Sequence, residues 1–285
     1  MMRLLDVRDP FEHAGYVAPL EAMRDGEAAG YRDRLEAIER DHAGHPVMKE
    51  AIYSSPHLLF PFVDEIMRRP SIMGPVSQIL GPDLLVWGAT LFIKEAESPD
   101  HITWHQDLTY WGLDSTQEVT AWVALSPATV ENGAMRFIPG SHRKEIVAHR
   151  DTFGEANLLT RGQEIAVEVD EAEAVDVVLA PGQMSLHHGR LFHASRPNRS
   201  ADRRIGLAVR YISPDMRQTV GRKDFAVLVQ GEDRFGHFEL LGPPKGVLHP
   251  DDVALVGRVS EIEQTYYYAG AAEPGRHRQP ADELD

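Results

Sequence analysis

The chain has 285 residues, 29 Lys and Arg against 44 Asp and Glu for a formal charge of −15, and 14 His with no Cys. That charge argues against a nucleic-acid partner, which selects a positive face. Zero Cys excludes disulfides, thiolate zinc sites, iron–sulfur clusters and cysteine nucleophiles, so any metal must be held by His nitrogens and carboxylate oxygens.

No segment reaches the roughly 18–20 apolar residues of a membrane span. Arg3, Asp6, Arg8 and Asp9 bring charge too early for the apolar core of a signal peptide, so the expectation is a cytoplasmic protein with no membrane partner. In chain order, residues 10–80 read as helical. Leu20 to Asp41 carries Leu20, Met23, Ala28, Tyr31, Leu35 and Ile38 at an imperfect helical spacing. Pro61 to Leu80 is a second helical stretch, which Pro70 and Pro75 should break into pieces and Gly81-Pro82 should end.

The texture changes at Leu84. A β-rich run to Ile93 is followed by short β-rich segments at Val119 to Leu125, Ala134 to Ile138, Glu164 to Val169, Val175 to Leu179, Gln183 to Leu186, Leu191 to Ala194 and Arg204 to Ile212. Glu131-Asn132-Gly133, Pro139-Gly140-Ser141, Pro181-Gly182 and Pro197-Asn198 separate several of them as turns. Many short strands with such turns predict a sandwich or barrel. Residues 214–270 are mixed, with a helix expected over Asp251 to Tyr268, and the Pro-, Gly- and charge-rich tail 271–285 is expected to be mobile. No repeat or linker divides the chain. The simplest organisation is one domain over 1–285, with a β core at about 84–213.

With Cys absent, the His residues carry the search for chemistry. In a strand, residues i and i+2 share a face, so His105 and Asp107 in Trp104-His105-Gln106-Asp107 would present an imidazole and a carboxylate side by side. A surface hydrogen-bonded His–Asp pair has the same pattern. The best third ligand is His193, which ends an apolar run. If 193–195 pairs with the strand from Arg204 as a hairpin, His193 faces Arg204 and shares its sheet face with Ser195. An inward Arg would require an anion, and a carboxylate could meet it with two hydrogen bonds. A one-residue shift would exchange Arg204 with Arg203, which otherwise reads as exposed. Two His and one carboxylate with open positions form the facial triad of non-haem Fe(II) oxygenases. His187 and His188 are adjacent and point to opposite faces, so at most one looks inward.

Several segments together resemble the phytanoyl-CoA dioxygenase-like Fe(II)/2-oxoglutarate oxygenases. They are Phe11-Glu12-His13-Ala14-Gly15-Tyr16-Val17, Trp104-His105-Gln106-Asp107-Leu108-Thr109-Tyr110-Trp111, Ala121-Trp122-Val123-Ala124-Leu125, Glu131-Asn132-Gly133-Ala134-Met135, Ile138-Pro139-Gly140-Ser141-His142, and His193-Ala194-Ser195 with Asn198 and Arg204. The likeness spans about residues 10 to 212. It implies a double-stranded β-helix (a cupin-like jelly roll) flanked by N- and C-terminal α-helices. It implies iron held by His105, Asp107 and His193, and 2-oxoglutarate bound through its distal carboxylate by Arg204 with help from Ser195. Trp122 matches a position lining the cosubstrate pocket. Lys94 is a further carry-over to that pocket, although a surface lysine would look the same. The implied reaction consumes O₂, decarboxylates 2-oxoglutarate to succinate and CO₂, and hydroxylates a substrate. Related halogenases carry a small residue where Asp107 stands, so hydroxylation or a related oxidation is expected.

The substrate is less defined. CoA carries phosphate charges that favour Lys and Arg clusters, whereas this chain is acidic, with only Arg143 and Lys144 as a basic pair near the expected mouth. A small polar, amine-bearing metabolite is therefore expected, with an acyl-CoA or lipid-like substrate as the alternative. Tyr110, Trp111 and Phe137 are expected pocket or core aromatics. A zinc hydrolase or a non-catalytic cupin-like binding protein would use the same tripod.

Overall fold

The computed structural model describes residues 6–24, 26–152, 154, 156–159 and 162–269. The tail 271–285, expected to be mobile, lies outside the described residues. The N-terminal part runs α1 (Arg8–Ala14), β1 (Tyr16–Glu21), α2 (Glu27–Asp41), α3 (Met48–Tyr53), α4 (Pro56–Leu59), α5 (Pro61–Met67) and α6 (Pro70–Leu80). The strands β2 (Leu84–Lys94), β3 (Ile102–His105), β4 (Glu118–Ala124), β5 (Met135–Phe137), β6 (His149–Asp151), β7 (Gln163–Ile165), β8 (Val175–Val177), β9 (Gln183–His187), β10 (His193–Ser195), β11 (Arg204–Ile212), β12 (Phe225–Gln230) and β13 (Glu239–Leu240) follow, and α7 (Pro250–Tyr267) closes the sequence of elements.

Two sheets form the roll. The larger has seven strands in the order β1-β9-β4-β11-β2-β12-β13, and the smaller has four in the order β3-β10-β5-β8; β6 and β7 pair apart from both. This is the jelly-roll core implied by the resemblance. Along β2, β4 and β11 the side chains alternate faces. Leu91, Ile93, Ala121, Val123, Ile205, Leu207 and Val209 form one apolar stripe, packed with Phe62, Val63, Ile66, Ile72 and Val76 from α5 and α6. The opposite stripe carries Phe92, Thr120, Trp122, Arg204, Ala208 and Arg210 and faces a cavity inside the roll. The helices thus cover the apolar face, and the mixed polar face is left for chemistry.

Three features differ from the expectations. Leu20 belongs to β1, an edge strand paired with β9, and the helix begins only at Glu27. Pairing with a strand some 165 positions away is not visible in local spacing. Pro70 does interrupt the second helical stretch, with Arg69 extended before it, but Pro75 stays inside α6. There it forgoes one backbone hydrogen bond, and the full burial of Ile72 and Val76 on either side holds the helix to the core.

The expected hairpin between 193–195 and the strand from Arg204 does not form. β10 pairs with β3 and β5 in the smaller sheet, and β11 pairs with β2 and β4 in the larger. The intervening segment crosses between sheets. Asn198 staples that crossing: its Nδ2 donates to the carbonyls of Lys94 (3.2 Å), Glu95 (2.8 Å) and Asp202 (2.8 Å), and its Oδ1 accepts from the backbone N–H and hydroxyl of Ser200 (2.9 Å each). Arg204 consequently faces Lys94 in the register rather than His193.

Gln106 is a second staple. Fully buried, it donates from Nε2 to the Arg190 carbonyl (2.9 Å) and accepts at Oε1 from the Val147 N–H (2.9 Å). Gln106→Ala would leave both partners buried and unpaired, at about 1–3 kcal/mol each. A loss of about 3 kcal/mol in urea unfolding is expected; a change below about 1 kcal/mol would show that water replaces the amide.

Candidate active site

His105 is the last residue of β3, and Asp107 opens the 3-10 turn Asp107–Thr109, so the two do not sit on one continuous strand as expected. The turn nevertheless brings the carboxylate back to the imidazole: Nε2 of His105 lies 3.2 Å from Oδ1 of Asp107. His193 opens β10 directly opposite His105 in the antiparallel register, with ring centroids 4.0 Å apart. Nε2 of His193 is 3.8 Å from the same Asp107 oxygen, and the three donor atoms all lie within 4.8 Å of one another.

The orientation of the rings matters more than their proximity. Nδ1 of His105 lies 2.9 Å from the Thr103 carbonyl, and Nδ1 of His193 lies 2.9 Å from the Leu191 carbonyl. A carbonyl only accepts, so each Nδ1 carries the proton and each Nε2 holds a lone pair. Burial pushes His193 down to about 4, with the charge of His105 acting the same way, so it is neutral near pH 7. Burial raises Asp107, but a proton at Nε2 of His193 or His105 pulls it well below the usual carboxylate range, so the carboxyl is ionised beside a protonated imidazole; with both rings neutral, each Nε2 offers it a lone pair instead. Two imidazole lone pairs and a carboxylate therefore face one another with no hydrogen between them. That arrangement calls for a cation, and the donor set is the 2-His-1-carboxylate set that suits Fe(II). The backbone carbonyls behind each imidazole fix its tautomer and orientation.

A cationic pole lies beside these donors. Arg204 is 1 % exposed. Its Nη1 donates to the Gly133 carbonyl (2.8 Å), whereas Nε and Nη2, the two-toothed edge of the guanidinium, have no partner. Burial pushes it down to about 10, so the charge survives. Its guanidinium carbon stands 5.2 Å from the centre of the Trp122 ring. Gly206 makes room for that ring: a Cβ there would fall 1.9 Å from it. Lys94 is fully buried and donates from Nζ to Ser195 Oγ (2.7 Å) and to the Arg196 carbonyl. Burial, reinforced by the charge of Arg204, pushes Lys94 down to about 6. Because Ser195 accepts from Lys94, its own hydroxyl hydrogen is free to donate. The open Arg204 edge and this hydroxyl fit a carboxylate.

Both groups of residues line a single cavity of about 430 Å³ including its mouth. His105, Asp107, His193, Ser195, Arg204 and Trp122 are in its wall, together with Phe92, Ile102, Thr120, Met135, His187, Ala194, Ala208 and Arg210. Lys94 reaches it through Ser195. Tyr110, Trp111 and Phe137 are not in the wall. Tyr110 stands edge-on to His149, Trp111 packs on Trp87 in a separate cluster, and Phe137 sits behind the rings of His187 and His193. Sequence reasoning did not single out Thr120 or Arg210. Both were within reach, because strand alternation from Trp122 and Arg204 puts them on the same face. Of His187 and His188, the inward one is His187.

Glu118 lies next to the cavity, 1 % exposed, with Oε1 accepting from the Thr120 hydroxyl (2.7 Å) and Oε2 unpartnered. Burial pushes it up to about 8, aided by the charge of Asp107 and opposed by the Thr120 hydrogen bond. The folded value lies above the unfolded one. Its contribution to stability is therefore present at acid pH and lost as the pH rises from the ordinary carboxylate range through about 8. In Glu118→Gln that decline should be absent. Urea unfolding of the metal-free variant and parent at both ends of this window checks it; parallel pH profiles would contradict it.

The phytanoyl-CoA dioxygenase family matches residues 11–206, more than half of the chain. The chain belongs to this family. As a phytanoyl-CoA dioxygenase family member it is an Fe(II)- and 2-oxoglutarate-dependent oxygenase, for which O₂ is the third reactant. A solved structure of the non-heme monooxygenase ThoJ in its apo form is 35% identical, with a TM-score of 0.83, covering 93% of this chain and 98% of that one. L-proline trans-4-hydroxylase from Streptomyces griseoviridis is 27% identical over 73% of this chain and 86% of its own length. A probable alpha-ketoglutarate-dependent hypophosphite dioxygenase from Stutzerimonas stutzeri is 28% identical over 59% of this chain, and the match spans 58% of that protein. Among the described residues, no helix is long and apolar enough to cross a membrane.

Proposed function

We propose that this family member hydroxylates a small polar, amine-bearing metabolite, with His105, Asp107 and His193 holding Fe(II) and Arg204 binding the distal carboxylate of 2-oxoglutarate. The observation that carries this reading is the juxtaposition, across one cavity, of three mutually facing lone-pair donors and a buried guanidinium with an open two-toothed edge. When bound, iron and cosubstrate supply the O₂-dependent oxidation, with release of succinate and CO₂. The chain does the rest. Thr103 and Leu191 carbonyls orient the two imidazoles, and the Ser195 hydroxyl assists Arg204. Lys94 holds Ser195 through its Nζ hydrogen bond, and Trp122 forms the wall on which Arg204 stacks. The cavity walls keep bulk water from the reacting centre. Phe137 braces the His193 and His187 rings, while Tyr110 and Trp111 act from behind the wall.

A small substrate is supported by the cavity. The cavity is narrow and the cosubstrate takes part of it, which leaves room for a small substrate only. The charge of −15 favours a substrate bearing an amine over a multiply phosphorylated CoA ester. The relative named for L-proline is named for a small amine-bearing compound. Asp107 fills the position that halide-using relatives leave open, which favours hydroxylation.

The test is anaerobic addition of Fe(II) and 2-oxoglutarate, which should produce a weak visible charge-transfer band. Admitting O₂ with a metabolite panel should then produce succinate. No band and no succinate with any panel member would overturn the proposal.

A further inference from the structure

A second arginine faces the same cavity. β11 puts Arg204 and Arg210 on one face, six residues and about 20 Å of strand apart. Like Arg204, Arg210 stands over an indole, with Cζ 5.3 Å from the centre of the Trp111 ring. Its Nη1 donates to the Thr90 hydroxyl (3.0 Å), and its buried Nε has no partner. None of the ion pairs among the described residues involves it. The nearest same-face carboxyl along the ladder is Glu118, which pairs with Ile212 and so stands diagonal to Arg210. Its Oε2 is unpartnered as well. The two groups thus stand diagonal on one face without a direct ion pair, and Glu118, pushed up to about 8, does not supply a full opposite charge near pH 7.

Arg210 is half-buried with its Nε fully buried, and although Asp107 and Glu118 feel its charge it forms no ion pair, so a bound anion would stabilise it. The cosubstrate has no anion left for this one. In the reading above its distal carboxylate goes to Arg204, and its other end goes to the metal. Resting on that reading, we propose that Arg210 is the specificity-determining residue, and that the substrate carries a carboxylate which this guanidinium binds. Combined with an amine, this makes the substrate class amino-acid-like zwitterions. Trp111 and Thr90 are then positioning residues that hold the guanidinium in place.

The test uses protein loaded with redox-inert Ni(II) and saturated with 2-oxoglutarate, titrated calorimetrically with acid–amide pairs: acetate against acetamide, and L-proline against L-prolinamide. The acids should bind and the amides should bind at least about tenfold more weakly, the range expected for a charge-assisted pair. Arg210→Gln should erase that difference and Arg210→Lys should restore part of it, while the 2-oxoglutarate Kd moves less than about threefold. Acids and amides binding alike to the parent protein, or neither binding at tens of millimolar, would overturn the proposal. So would an Arg210→Gln variant that loses 2-oxoglutarate as an Arg204 variant does, because Arg210 would then belong to the cosubstrate. Failure of 2-oxoglutarate itself to bind the Ni(II)-loaded parent would be a different result: it removes the oxygenase reading, and this inference with it.

Discussion

Asp107→Ala should abolish retention of Fe(II) through desalting and lower succinate formation by at least about 10³-fold. Outer-sphere partners of a metal typically contribute 10- to 100-fold, and Asp107 is the donor that both imidazoles face, at 3.2 and 3.8 Å. Its carboxylate is the only charged member of the set. Without it, two neutral imidazoles remain, one of which burial pushes down to about 4. Two neutral donors leave a divalent ion undercompensated in a cavity of low dielectric. Metal content by atomic absorption and succinate release are the two readouts. A variant that keeps one iron per chain would remove Asp107 from the donor set, whatever its activity. The apoprotein should fold, because Asp107 projects into the cavity rather than into the packed core and its neighbours retain their own backbone partners.

Arg204→Met should raise the 2-oxoglutarate Kd by about 10²- to 10³-fold, since a carboxylate on the open Nε–Nη2 edge makes two charge-assisted hydrogen bonds of roughly 1.5–3 kcal/mol each, not fully additive. The same variant should leave the apoprotein as stable as the parent or more so. Arg204 is almost fully buried, makes one hydrogen bond to Gly133, and keeps two N–H groups without partners. A flexible apolar side chain of similar length removes that penalty and stays against Trp122. Calorimetric titration with 2-oxoglutarate and thermal unfolding with and without it separate the two effects. Loss of affinity together with a lower midpoint in the absence of ligand would mean that Arg204 holds the fold rather than the cosubstrate. Opposite signs for binding and stability are what a site kept for function should give.

The two expectations rest on different levels of information. That the donors are His and carboxylate follows from composition, and the His105-Gln106-Asp107 motif with a distant His193 and Arg204 was legible from residue types and spacing. So was the strand-rich middle: the segments at Leu84, Val119, Val175, Gln183 and Arg204 are strands close to where alternation puts them. α7 and the break at Pro70 were also legible, because helix periodicity and proline act locally. The edge strand β1 was read as part of a helix, and β12 and β13 were not anticipated. β1 and β12 owe their conformation to partners far along the chain, and β13 in turn pairs on β12.

The hairpin inference put His193 and Arg204 near each other for a reason the structure does not share. They meet across two sheets, one strand paired with β3 and β5 and the other with β2 and β4, and not across a turn. For the same reason Arg210 and His187 read as background until the sheets closed around them, and Tyr110, Trp111 and Phe137 moved behind the wall. Which atoms can bind a cation or an anion is chemistry carried by each side chain, and so belongs to the amino-acid sequence. Which of those atoms share one cavity depends on hydrogen-bond partners up to about 170 residues apart along the chain, and on the twist that rolls two sheets together. Local pattern contains neither.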